Sequence, residues 1–172
     1  MELPNWIGQR DARWSGIKLG WSSTDTIGNY GCLITCISCM VRAFDYPKNQ
    51  ATPQDVNLWL KSHSGYVQQD LVVWGKVPAI TGSIIPEGTY YSGSIPEVAN
   101  YLNRGNCLAI CEVRMNGYMH FVLGYKADGQ NVWVHDPWTN TQKRLSLFGK
   151  LYAAHLYRKY VAPVVPVPVV TV

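Results

Sequence analysis

The chain has 172 residues, of which 47% are hydrophobic and only 15% charged, and a net charge of +4. That length fits one domain able to bury roughly two-thirds of its unfolded surface, and the low charge content excludes a disordered, solvated chain. Basic residues are scattered, with only Lys143-Arg144 and Arg158-Lys159 adjacent, so no nucleic-acid partner is expected, and no apolar run approaches the roughly 18 residues of a membrane span.

Five cysteines, at 32, 36, 39, 107 and 111, crowd into two apolar segments. Their odd number and close spacing differ from the spread pattern of a secreted disulfide scaffold, and reduced thiols are expected. Met1 is followed by Glu2-Leu3-Pro4-Asn5, without a basic n-region or an apolar h-region. The product is therefore expected to be made in a cytoplasm without a signal peptide. Seven Trp and eleven Tyr suit a groove that stacks against sugars or peptides, although most of them are expected in the core and its rim.

Residues 1–31 open with the polar-aromatic knot Gln9-Arg10-Asp11-Ala12-Arg13-Trp14, and a loop is expected from Ser15 to Gly31. From Cys32 to about Phe44 apolar residues are nearly continuous, which predicts a helix buried on most sides. Thr52-Pro53-Gln54-Asp55 is a helix start, with a hydroxyl cap, proline in the first turn and a carboxylate behind it. Asp70-Leu71-Val72-Val73-Trp74 is ambiguous between helix and strand. Pro78, Gly82, Pro86, Gly88 and Gly93 predict loop, and Ser94-Ile95-Pro96-Glu97 opens another helix with capping-box spacing. Strands are then expected at 107–114, 119–126 and 131–135, the last two joined through Asp128-Gly129, with a further strand within 145–160. Helices followed by an antiparallel sheet make an α+β architecture, with the helices expected on one face of the sheet. Residues 1–160 form the expected domain. Residues 161–172, three prolines among valines, read as an extended linker that leads to a further domain.

Gly31-Cys32 places a cysteine in the first turn of a helix, where unpaired N–H groups and the helix dipole favour a thiolate. Cys36 and Cys39 follow at i+4 and i+7 and are expected beneath it as packing residues. A thiolate nucleophile needs a base and a group to orient that base. His120 starts a strand directly after the Asn116-Gly117 turn, and Asp136 ends the next strand, so the intervening hairpin can bring the two together. His63 and His155 read as solvated or packing residues. His135 and Asp136 are adjacent on one strand and point to opposite faces. Cys32, Cys36 and Cys39 lack the loop geometry of a zinc site, and neither metal nor cofactor is expected.

Gln9-Arg10-Asp11 with Trp14, Gly31-Cys32 with Thr35 and Met40, His120-Phe121-Val122 and Asp136-Pro137-Trp138 together resemble papain-like cysteine peptidases of the bacteriocin-leader-peptidase-like group. The Gln-x-Asp-x-x-Trp element is similar to that of peptidase domains in bacteriophage endolysins. The resemblance implies a papain-like fold, Cys32 as nucleophile, His120 as base and acid, Asp136 as orienting carboxylate and Gln9 as oxyanion donor, with Asn29 the alternative donor. It further implies hydrolysis of peptidoglycan stem peptides, by a monomer acting on the wall after release, with the linker leading to a wall-binding domain. Amidase cleavage, processing of leader peptides or other proteins, and a non-catalytic wall-binding module on the same fold are the alternatives.

Overall fold

The computed structural model describes residues 5–91 and 93–162. Two helices start where capping chemistry predicts. In α3, Pro53–Ser62, the Thr52 hydroxyl accepts the Asp55 N–H and the Asp55 side chain accepts the Thr52 N–H; in α4, Ile95–Leu102, Ser94 and Glu97 repeat the exchange. The apolar run forms α2, Cys32–Phe44, as expected. Ahead of it the predicted loop contains a four-residue helix, α1, Ile27–Tyr30, because the Thr26 hydroxyl caps it by accepting the Asn29 N–H. The ambiguous segment 70–74 resolves into a short strand, β2, Leu71–Val72, paired with β1, Tyr66–Val67, and the start of a 3₁₀ turn at Trp74–Ile80.

The remaining strands form one antiparallel sheet in the order β3-β8-β4-β5-β6-β7: β3 Ile84–Tyr91, β4 Cys107–Met115, β5 Tyr118–Asp128, β6 Asn131–Asp136, β7 Thr141–Arg144 and β8 Ala153–Lys159. The fold is thus α+β. Asn116 and Gly117, both at positive φ, make the β4–β5 turn, and Gly129 at φ 58 opens the β5–β6 turn. Strand β3 falls where loop is predicted. Pro86 and Gly88 are tolerated there because β3 lies at the sheet edge, and its register with β8 shifts between Pro86 and Thr89, around Gly88 at φ 101.

The helices cover both faces of the sheet, not one. Leu108 and Ile110 of β4 join a core with α2 and α3, whereas Cys107, Ala109, Cys111 and Val113 of the same strand join a second core with α4. A strand buried on both faces reads as a continuous apolar run, and Cys107 to Cys111 is one. Among the described residues no helix is long and apolar enough to cross a membrane. Val161 and Ala162 lack regular structure, and the rest of the predicted linker lies outside the described residues.

Because α3 and α4 sit on opposite faces, their caps are independent. Thr52→Ala and Ser94→Ala should each cost about 1 kcal/mol, and the double variant about 2 kcal/mol, measured by denaturant unfolding.

Candidate active site

Cys32 begins α2, one residue after a break in an otherwise continuous helical path. The Gly31 N–H reaches Ile27 O at 2.8 Å and the Thr35 N–H reaches Gly31 O at 3.0 Å, but α1 and α2 remain separate elements because the steps between them, from Cys32 to Gly28 and on to Ile34 and Tyr30, do not close. Gly28 O instead accepts the Gln9 carboxamide, Nε2 to O 3.0 Å. The Cys32 N–H is left free of the ladder. Glycine is required at the break: a Cβ on Gly31 would lie 2.5 Å from Ile27 O and 2.9 Å from Ile27 Cα, both backbone atoms. Thr35 fixes the same turn, its hydroxyl donating to Gly31 O at 2.8 Å.

His120 and Asp136 meet across the β5–β6 pair. The His120 Nε2–H donates to Asp136 Oδ1 at 2.8 Å, which turns Nδ1 toward the cysteine. His120 is 3% exposed and Asp136 is fully buried. A buried carboxylate needs donors, and Asp136 has four: His120, the Trp138 N–H on Oδ1 at 3.0 Å, and the Thr139 hydroxyl and Lys143 Nζ on Oδ2, each at 2.8 Å. Burial opposes its charge, but the bonds from His120, Lys143 and Thr139 hold its carboxyl below the usual carboxylate range. For His120, burial favours the neutral ring. The hydrogen bond to Asp136, the neighbouring Cys32 side chain and the charge of Asp136 outweigh it and raise the pKa to about 9.

Gln9 lies 23 residues before Cys32 in sequence and is buried beside it. The arm that carries it is held at successive backbone groups. Ile7 O accepts His135 Nε2–H at 2.9 Å, Gly8 O accepts Trp14 Nε1–H at 2.9 Å, and the Gln9 N–H donates to Pro137 O at 2.9 Å. Gly8 must be glycine, since a Cβ there would lie 2.8 Å from Asn140 Cβ. Besides its bond to Gly28 O, Nε2 lies 3.4 Å from Ile27 O. Asp11 closes the turn after the arm, accepting from the Arg13 N–H and guanidinium.

Gln9, Asn29, Cys32 and His120 line one cleft of about 360 Å³, walled by Tyr30, Trp138 and the β4–β5 hairpin tip with Met115, Tyr118 and Met119. Asp136 stands behind His120. Asn29 sits at the exposed mouth, Gln9 at the buried side. The other histidines lie elsewhere: His135 stacks on Trp6, His63 on Trp59 and His155 on Trp74. All five cysteines are unpaired. Burial pushes the Cys36 thiol well above its ordinary range and those of Cys39 and Cys111 up to about 12, which leaves them protonated packing groups. Among the described residues no group of three or more His, Cys, Asp or Glu side chains converges as a metal site.

Sequence reasoning missed Lys143 and Thr139, whose signal is faint. Thr141 pairs with Asp136 across the β6–β7 ladder, and Lys143, two residues on, shares its face. Compared with known proteins, the chain matches no family model and no curated sequence.

The His120 ring should titrate near pH 9 by NMR. Cys32→Ala should lower that value, because a raising partner is lost. Lys143→Met should raise it by roughly half a unit to one unit, because the Asp136 charge then acts on the ring without its counter-ion. The pKa of His120 is raised above the 6.5 of an unperturbed histidine, so its pairing adds stability that is fully present below pH 6.5 and lost as pH rises through about 9. Thermal melting should fall across that window in the native sequence, and this component of the fall should be absent in His120→Phe.

Proposed function

We propose that the protein is a papain-like cysteine peptidase that hydrolyses peptide bonds in the stem peptides of bacterial peptidoglycan. The observation that carries the reading is the row Cys32, His120, Asp136, with Nε2 of the histidine on the carboxylate and the thiol on the cleft side of the ring. The Cys32 thiolate attacks the scissile carbonyl carbon and the C=O electron pair moves onto oxygen. The free Cys32 N–H and Gln9 Nε2 donate to that oxyanion, which takes the place of Ile27 O at the longer of the two Nε2 contacts. The C–N bond then breaks, the amine leaves with the proton from His120 Nδ1, and a thioester remains on Cys32. Water attacks the thioester as Nδ1 takes its proton. The carboxylate product departs and the thiolate–imidazolium pair is restored. Asp136 keeps the ring oriented throughout.

Two features support peptidoglycan as the substrate. One is the resemblance of Gln9-Arg10-Asp11 and Trp14 to the corresponding element of endolysin domains. The other is the cleft rim, where Tyr30 and Tyr118 are exposed by 61% and 79% and offer flat faces to a sugar-peptide polymer. In this reading the enzyme acts on the wall after release from the cytoplasm in which it is made.

Purified cell walls should lose turbidity with the native protein, and Cys32→Ala should reduce the rate at least about a thousandfold. Mass spectrometry of the released fragments should show new termini within the stem peptide. Cleavage between sugar and peptide would reassign the same machinery to an amidase, and equal rates for the two proteins would remove Cys32 from the mechanism.

A further inference from the structure

The cleft continues beyond Cys32. Tyr30, Cys32 and Met119 also wall a second lobe of about 210 Å³, whose remaining sides include Leu33, Leu71, Val72 and Phe121. Its one charged lining residue is Asp70, which leads into β2 after Gln68 and Gln69, both at positive φ. Burial and the neighbouring Asp25 carboxyl raise the Asp70 pKa. Among the described residues no Lys or Arg forms an ion pair with either carboxyl group. Lys18, close by in sequence, turns its ammonium onto Thr24 O at 3.2 Å, and the Thr24 hydroxyl supplies Asp25 Oδ1 with a neutral donor at 3.1 Å. The lobe is therefore an apolar groove that begins at the cysteine sulfur and meets Asp70, to which no described Lys or Arg is paired, along its wall. Low-dielectric walls around one sign of charge focus the field on whatever enters.

We infer that this lobe is the subsite for a substrate side chain made of a short aliphatic stem ending in an ammonium group. The stem lies along Leu33, Leu71, Val72 and Phe121, and the ammonium meets Asp70 and its neighbour Asp25. The enzyme would thus select a diamino-acid residue beside the scissile bond. A neutral aliphatic residue would fill the same groove but leave the acid pair without its counter-ion. This subsite rests on the reading of Cys32 as the acylated nucleophile, because the lobe starts at its sulfur.

Alkylation of Cys32 tests the subsite without any turnover. Two iodoacetamides are compared near neutral pH, one bearing an aminobutyl chain and the other its uncharged isostere, a pentyl chain. Labelling is located by peptide mass spectrometry. The aminobutyl reagent should modify Cys32 about tenfold faster, which corresponds to about 1.4 kcal/mol. The preference should fall to parity in the Asp25→Asn/Asp70→Asn double variant, with the pentyl rate unchanged, and it should shrink in the native protein at high salt. Should the double variant fail to fold, as read by thermal melting, the salt comparison on the native protein decides alone. Parity of the two reagents in the native protein at low salt, or a preference that survives removal of both carboxylates, overturns the subsite even where walls are cut. Intact walls alongside a clear preference would overturn peptidoglycan as the substrate and leave the subsite standing.

Discussion

The site depends on one buried charge. Asp136 is fully buried at the end of β6, and a carboxylate there is tolerable only if its oxygens are met by donors. Those donors come from three places: His120 on β5, Trp138 and Thr139 in the turn that follows Asp136 itself, and Lys143 on β7. The pairing order β5-β6-β7 brings them together. The Asp-Pro sequence that starts a turn and the carboxylate that orients a histidine are thus one device. By capping its own turn, Asp136 fixes the rotamer in which Oδ1 faces His120.

A second constraint couples the arm at residues 5–9 to the start of α2. A helix running unbroken from Ile27 to Phe44 would spend the Cys32 N–H on Gly28 O. The break at Gly31 prevents this, and the Gln9 carboxamide takes the abandoned carbonyl. Gln9 therefore acts on the cysteine in two ways: it satisfies a carbonyl that would otherwise draw the helix straight, and it stands beside the N–H left free. The arm is itself placed by His135, which burial keeps toward its neutral form and whose Nε2–H is given to Ile7 O. Two histidines on neighbouring strands serve opposite faces, one toward the cleft and one toward the arm.

Much of this was legible in the sequence, and the exceptions share a cause. Cys32, His120 and Asp136 each carry a local signal, namely a glycine before a helix, an Asn-Gly turn before a strand and an Asp-Pro at a strand end. The caps at Thr52 and Ser94 are local in the same sense. Gln9 is legible only through resemblance, since the bonds that place it end on the backbone carbonyls of Ile7, Gly8 and Pro137, and any residue supplies a carbonyl. Lys143 carries no such signal because β7, Thr-Gln-Lys-Arg, has no apolar alternation and exists by pairing with β6. Strand β3 reads as loop because Pro86 and Gly88 break an interior strand but not an edge. The second face of the sheet could have been read from the unbroken apolar run of β4, which a one-sided sheet would have alternated.

Charge balance joins these elements. When Cys32 is ionised and His120 protonated, Lys143, Asp136, His120 and Cys32 form a row of alternating sign, positive at the half-exposed lysine and negative at the thiolate. Each member faces an opposite charge, so the row carries no net charge although two of its inner members are nearly inaccessible to water. Removing an inner member would leave a buried charge unpaired, which costs far more than an exposed ion pair contributes. Lys143 is the only member with substantial exposure, and through it solvent and salt reach the row. The cysteine end opens on the cleft and not on the core. Cys36, one turn deeper on the same helix, has neither opening nor counter-ion and stays a thiol, so position along one helix separates the cleft-lining sulfur from the buried one.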